Sequence, residues 1–284
     1  MLRSFFIETR FLCVSPNNCQ ILELIQENKL TQLQRLVISS SQLQGQQIEL
    51  TPQQQHYLIR VLRLVSGDRF IAMNGQGQSW LAMLSGAQAQ ILQPISVQTE
   101  LPVTVSLIVA LPKNGFDEIV RQATELGVTN LIPVVSDRTL LNPSPQKLER
   151  WRKIAIEAAE QSERLIVPEI LDPMPFSQAL SSDTNYGFIC EARGDLPHLL
   201  SCWQDTVKTP HQSPQTTITI ATGPEGGWTP AEVESACTAG FQPVSLGKRI
   251  LRAVTAPIVA LSLISAAVEQ EQGNMVTEEQ KPEN

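Results

Sequence analysis

Between residues 34 and 98 apolar positions fall in short alternating runs broken by turn residues. LQRLVIS reads as a strand. In LTPQQQHYLIRVLRL, Pro52 stands in a first helical turn and Tyr57, Val61 and Leu64 recur at helical spacing, which predicts a short helix. SGDRFIAMNGQGQSWLAMLSG places two strands around an N-G-Q-G loop, and ILQPISVQ closes a small β-rich module.

From Leu101 the pattern changes to alternating strand and helix. VSLIVAL is a β-branched buried strand. FDEIVRQATEL follows, with Phe116, Ile119, Val120 and Ala123 on one face and Gly127 as a helix-ending glycine. NLIPVVS is a strand, and QKLERWRKIAIEAAEQSER is a helix with Leu148, Trp151, Ala155 and Ala158 on its apolar stripe. YGFIC and TITIATG are further strands, separated by a polar loop over residues 204–216. A helix starts at Thr229, PVSLG is the last strand, and APIVALSLISAAVEQ the last helix. This alternation predicts an α/β domain over residues 101–270 with a mostly parallel sheet covered by helices. Residues 1–33 fit neither pattern and are expected to be an extension. The polar stretch 271–284 is expected to be a disordered tail.

Composition narrows the classes. With 42% hydrophobic and 17% charged residues the chain can bury a core. No apolar run reaches the roughly 18 residues of a membrane helix, and residues 4–14 lack the marks of a signal peptide. Five scattered cysteines form no C-x-x-C pair, which argues against zinc clusters and thioredoxin-like chemistry and for a reducing cytoplasm. Three histidines far apart in sequence leave no metal site to expect. Net charge is −7, against nonspecific coating of nucleic acid. Residues 35–99, however, carry Arg35, Arg60, Arg63 and Arg69 against two acids, whereas residues 100–284 carry 14 bases against 23 acids. Any polyanion contact is therefore expected to start at those four arginines.

Four segments carry candidate chemistry. In ATGPEGGWTPAEVESA a buried strand ends at Thr222, Gly223-Pro224-Glu225-Gly226-Gly227 turns tightly, and Thr229 to Glu232 form a capping box with Pro230 first in the helix. Three glycines in five residues let backbone approach a ligand, at the carboxyl end of a strand where α/β sheets bind ligands; an ordinary tight turn is the bland alternative. In VSLGKRILRAVTAPIVALSLI a strand again ends at a glycine, Gly247, and Lys248, Arg249 and Arg252 crowd a helix start, where cations oppose the macrodipole. LPKNGFDEIVRQATELGV repeats strand, turn and helix, with Glu125 near the helix end. EAAEQSERLIVPEI holds Arg164, four residues after Glu160.

These four segments, in this order, resemble the RsmE family of the SPOUT methyltransferase superfamily over about residues 34–270. The pairing of G-P-E-G-G with a later L-G-x-R-I-L-R carries most of the resemblance. It implies a trefoil-knotted parallel-sheet domain preceded by a small β-barrel, PUA-like RNA-binding domain. It also implies a homodimer, and transfer of a methyl group from S-adenosylmethionine to N3 of one uridine in 16S ribosomal RNA of the 30S subunit. Cofactor loops carry over onto Leu111, Pro112, Thr222, Gly223, Pro224, Gly226, Gly227, Leu246, Gly247, Ile250 and Leu251. Arg252 and Arg164 match family arginines that would stabilise a uracil anion. Glu225 is the candidate base, Glu125 matches a family carboxylate, and Arg35, Arg60, Arg63 and Arg69 would position RNA. The chain departs from the family twice. Many relatives read R-T-E-T where this chain has Arg252-Ala253-Val254-Thr255, and many carry lysine at the position of Gln122. A SPOUT enzyme with another RNA target, or an inactive RNA-binding assembly factor, are the alternatives.

Overall fold

The structure, a computed structural model, describes residues 33–139, 143–181, 184–207 and 216–279, with side chains to Glu271. The expected extension over residues 1–33 thus lies almost wholly outside the described residues.

The N-terminal unit is a six-stranded sheet of β1 (Arg35–Val37), β2 (Leu43–Gln44), β3 (Gln47–Glu49), β4 (Arg69–Met73), β5 (Ser79–Ser85) and β6 (Gln88–Ile95), in the order β1-β4-β5-β6-β3-β2. Only β1 and β4 are parallel. The sheet curls into a half-barrel with β1 and β2 as edges, in keeping with the small barrel-like module expected. Leu36, Ile38, Ile48, Leu58, Phe70 and Leu84 fill its concave side. The expected helix is α1 (Pro52–His56), capped by Thr51 and Gln54 and continued as one π-helical turn over Tyr57–Val61. The wider turn buries Leu58 while leaving Ile59, Arg60 and Val61 exposed.

The C-terminal unit carries seven parallel strands: β7 (Thr104–Ala110), β8 (Asn130–Val135), β9 (Glu169–Ile170), β10 (Met174–Pro175), β11 (Tyr186–Cys190), β12 (Thr217–Thr222) and β13 (Phe241–Val244). The order is β10-β8-β7-β12-β11-β13, with β9 also on β8. β7 and β12 are buried almost throughout because both faces are covered, which explains their continuous apolar runs. On one face lie α2 (Phe116–Glu125), α3 (Pro145–Gln161), α5 (Leu199–Val207) and α7 (Ala256–Glu279). On the other lie α4 (Phe176–Ala179) and α6 (Pro230–Thr238).

β13 is the outer edge, yet α7 packs against α2, α5, β7 and β12 near the sheet centre. Leu261 and Ile264 join the core, and Ser265 Oγ donates to the Leu126 carbonyl at 2.8 Å. Residues 245–255 therefore carry the chain back from edge to middle, the crossing that a knotted fold requires. Three expectations are corrected. The last strand ends at Val244, so Leu246 and Gly247 belong to this return segment. Residues 204–207 complete α5 instead of starting a loop. Residues 271–279, expected to be disordered, continue α7, because extending a helix already formed costs less than starting one; residues 280–284 lie outside the described residues.

The two units meet where α3 ends. Arg35 pairs with Glu163 at 2.6 Å, and Glu160 Oε1 accepts the Val37 amide at 2.7 Å. Gly77 N donates to the Leu165 carbonyl at 3.1 Å, and Val167 N to the Gly75 carbonyl at 2.9 Å. Burial pushes the Glu160 carboxyl up to about 7, aided by Glu157 and opposed by the Val37 bond.

Candidate functional site

A cavity of about 700 Å³ opens at the carboxyl ends of β7, β11 and β12. That volume lies within the range of small-molecule sites. Its walls are the turn after β7, the residues after β11, the glycine turn after β12 and the return segment after β13. Of the cofactor positions expected from the sequence, Gly223, Pro224, Gly227, Leu246, Gly247, Ile250 and Leu251 line it, as do Glu225 and Arg252. Leu111, Pro112 and Thr222 are buried beneath and support the wall without lining it; Gly226 lies just outside.

The glycine turn is held from several sides. Gly227 N closes it onto the Pro224 carbonyl at 2.9 Å. A Cβ at Gly223 would come within 3.2 Å of the Trp228 indole nitrogen, so a side chain there would press on that ring. Trp228 stacks on Phe176 with centroids 4.3 Å apart, and its Nε1–H, buried in the cavity wall, has no partner among the described residues. Arg138, in the loop after β8, donates through Nη1 to the carbonyls of Gly226 (2.7 Å) and Trp228 (3.2 Å). Glu232 completes its capping box on Thr229 N at 2.7 Å and also accepts Asp137 N at 2.9 Å. Glu225 Oε1 accepts the Lys113 amide at 2.9 Å, tying this turn to the one after β7.

On the return segment the Arg252 carbonyl accepts Thr255 N and Ala256 N, which starts α7 and leaves the Arg252 side chain exposed at the cavity. Val254, at the departure from the family motif, packs on Gly115 so closely that a Cβ there would meet its Cγ1 at 2.8 Å. An apolar contact thus fixes the spacing of these two walls.

Arg164 takes a different place from the one expected. It is buried, away from the cavity, and donates to Glu100 at 2.6 and 3.0 Å and to the carbonyls of Thr124 (2.8 Å) and Val128 (2.9 Å). Glu100 also accepts the amides of Leu165 and Ile166. A guanidinium so engaged fastens the linker to α2 and is not available to a substrate. Glu125 is exposed outside the cavity. Of the four arginines expected to meet RNA, Arg35 is occupied by Glu163, whereas Arg60, Arg63 and Arg69 are exposed and make no ion pair among the described residues.

Cys190, Glu191 and Ala192 line the cavity and were not anticipated, nor was the Arg138 clamp. Burial pushes the Cys190 thiol up to about 12, so it stays protonated and is no nucleophile. Among the described residues no three His, Cys, Asp or Glu side chains gather as a metal site, and no helix is long and apolar enough to cross a membrane.

Comparison with known proteins agrees with this geometry. Residues 99–265 match the RNA methyltransferase domain family, and residues 50–93 the RNA methyltransferase PUA domain family. A ribosomal RNA small subunit methyltransferase E from Synechocystis sp. is 47% identical over 242 residues, covering 83% of this chain and 78% of that protein. The chain belongs to the ribosomal RNA small subunit methyltransferase E family. The Bacillus subtilis member is 32% identical, covering 82% of this chain and 97% of its own length. Among solved structures, the Neisseria gonorrhoeae member bound to S-adenosylmethionine superposes with a TM-score of 0.73 at 30% identity, covering 83% of this chain and 98% of that one. A Legionella pneumophila methyltransferase in complex with the same cofactor gives 0.72 at 27% identity, with the same coverage.

The residues present suit such a group. The wall offers apolar surface from Leu246, Leu251 and Val254, two carboxylates that complement positive groups, three cations that complement a ligand carboxylate, and an indole N–H without a partner among the described residues.

Proposed function

We propose that the cavity binds S-adenosylmethionine and that this RNA methyltransferase modifies N3 of one uridine in 16S ribosomal RNA. The single observation that carries the reading is that the glycine turn after β12 and the return segment bearing Arg252 form adjoining walls of one cavity. When bound, the cofactor supplies an electrophilic methyl group on a sulfonium. Transfer of that methyl group to uracil N3 would require the N3 proton to leave to a base in the cavity wall.

The chain's own residues prepare that step. Arg252 is exposed at the cavity and able to face O2 or O4 of the uracil, where negative charge grows as N3 loses its proton. Glu225 has Oε1 engaged by Lys113 N, while its second oxygen has no partner among the described residues and can take the N3 proton. The bond between the two turns would keep Glu225 in a fixed position beside a bound cofactor. The target nucleotide must leave its stack to enter, at a cost of a few kcal/mol. Arg60, Arg63 and Arg69 position the RNA backbone on the N-terminal unit.

The enzyme acts on 30S subunits in the cytoplasm as a homodimer. Support for pairing is an apolar groove of about 520 Å³ between α5 and α7, lined by Leu200, Ile258, Val259, Leu263 and Ala266. The decisive experiment is transfer of labelled methyl to 30S subunits from a strain lacking its own enzyme of this kind, with free 16S RNA as comparison, followed by mapping of the modified nucleotide. Label at uridine N3 is expected. Label on a ribose hydroxyl would replace the target, and no label on either RNA would leave an RNA-binding protein without activity.

A further inference from the structure

Glu191 stands in the cavity wall without a task in the reaction just described. It directly follows β11, whose neighbours are β12 and β13. Cys190 is level with Thr222 on one side and with Val244 on the other. The next residue, Glu191, therefore sits between the glycine turn that begins at Gly223 and the bend at Leu246-Gly247. A ligand spanning those two bends crosses it.

The side chain is held in place. The Glu191 amide donates to the Val244 carbonyl at 2.9 Å, and its Oε1 accepts Ala192 N at 2.8 Å and Arg193 N at 3.2 Å. The second oxygen has no hydrogen-bond partner among the described residues. No cation of the wall, Lys113, Arg249 or Arg252, forms an ion pair with it. A carboxylate fixed through one oxygen at a concave wall, with the other unspent, is an acceptor awaiting donors from a ligand. At the carboxyl end of a parallel sheet, beside a glycine turn, an acidic side chain is well placed to accept from the vicinal hydroxyls of a nucleoside ribose.

We infer that Glu191 is the ribose-binding residue of the cavity, its free oxygen accepting hydrogen bonds from the diol of an adenosine-type ligand. This assignment rests on the cofactor reading above. Glu225, on the turn tied to Lys113, is left to take the N3 proton.

The test is calorimetric binding of S-adenosylhomocysteine and of its 2′-deoxy analogue to the full chain. The parental protein should prefer the parent ligand about tenfold, the size of one charge-assisted hydrogen bond. Glu191→Ala should lose about tenfold for the parent ligand and nothing for the deoxy analogue, so that the preference vanishes. Glu191→Gln keeps an acceptor for the Ala192 and Arg193 amides and should hold the melting temperature while reducing the preference at least roughly threefold. It decides the matter if the alanine variant folds poorly. Equal losses for both ligands, or none for either, would overturn the ribose assignment while leaving the cofactor reading intact. If the parental protein bound neither ligand, the cofactor reading would fail, and this assignment with it.

Discussion

The Glu225 carboxylate accepts the backbone amide of Lys113 at 2.9 Å across 112 residues of sequence. Two walls of the cavity, one after β7 and one after β12, are held in register by that bond.

Glu225→Ala should therefore weaken S-adenosylhomocysteine binding roughly fivefold, the equivalent of a lost hydrogen bond of about 1 kcal/mol. Glu225→Gln keeps an acceptor and should bind within about twofold of the parental protein. If Glu225 also takes the N3 proton, the glutamine variant should lose transfer about 10²-fold in single turnovers while still binding. Normal transfer by that variant would confine Glu225 to holding the turn.

Arg252→Ala should lower methyl transfer by about 10²-fold, as removal of one charge-stabilising donor does. Cofactor affinity should persist, because α7 starts on the Arg252 carbonyl and not on its side chain. Near-normal turnover would remove Arg252 from the reaction.

Arg164→Ala should destabilise the protein by about 3–5 kcal/mol, since it leaves the Glu100 carboxylate and two carbonyls without their buried donor. Urea unfolding measures this. Below its unfolding transition the variant should transfer methyl at the parental rate; a selective loss of turnover would return Arg164 to the catalytic set.

Glu160 gives a pH signature at the joint between the two units. Its folded value near 7 lies above the ordinary carboxylate value of 4.5, so the folded chain holds that proton more tightly than the unfolded one. The contribution to stability is complete below pH 4.5 and is lost as pH rises through 7. Glu160→Gln keeps an acceptor for Val37 N and loses the charge. It should be more stable than the parental protein at pH 8, with the difference shrinking toward pH 5. A difference independent of pH would refute this.

Joint replacement of Arg60, Arg63 and Arg69 by alanine should flatten the salt dependence of RNA binding by about 0.7 to 0.9 unit of slope for every phosphate that the variant no longer neutralises. Arg35→Ala should leave that slope unchanged, because its guanidinium is spent on Glu163.

Much of the architecture was legible because it rests on local periodicity. The buried run of β7, the apolar stripe of α3 through Trp151 and Ala155, and the capping box at Thr229 each announce their element within a few residues. Both glycine bends were legible for the same reason. Residues whose role depends on a distant partner were not. Arg164 follows Glu160 at helical spacing and invited a surface pair, yet its carboxylate is Glu100, 64 residues away. Arg35 looked like a free cation until Glu163 came beside it through the fold. Glu191 carried no motif, only its position after YGFIC, and the Arg138 clamp spans 88 residues. The helical end of α7 was missed because polarity was taken for disorder.

The return from β13 to the sheet centre has a consequence for biosynthesis. One wall of the cavity, Leu246 to Ala256, and the helix that seats it are made after the other walls. A nascent chain emerging from the ribosome can complete the half-barrel and pair β7 with β8, yet its pocket lacks a wall until the return segment and α7 have emerged and docked. Ligand capture thus reports a chain made at least through α7, and premature termination anywhere before α7 yields a protein unable to sequester cofactor.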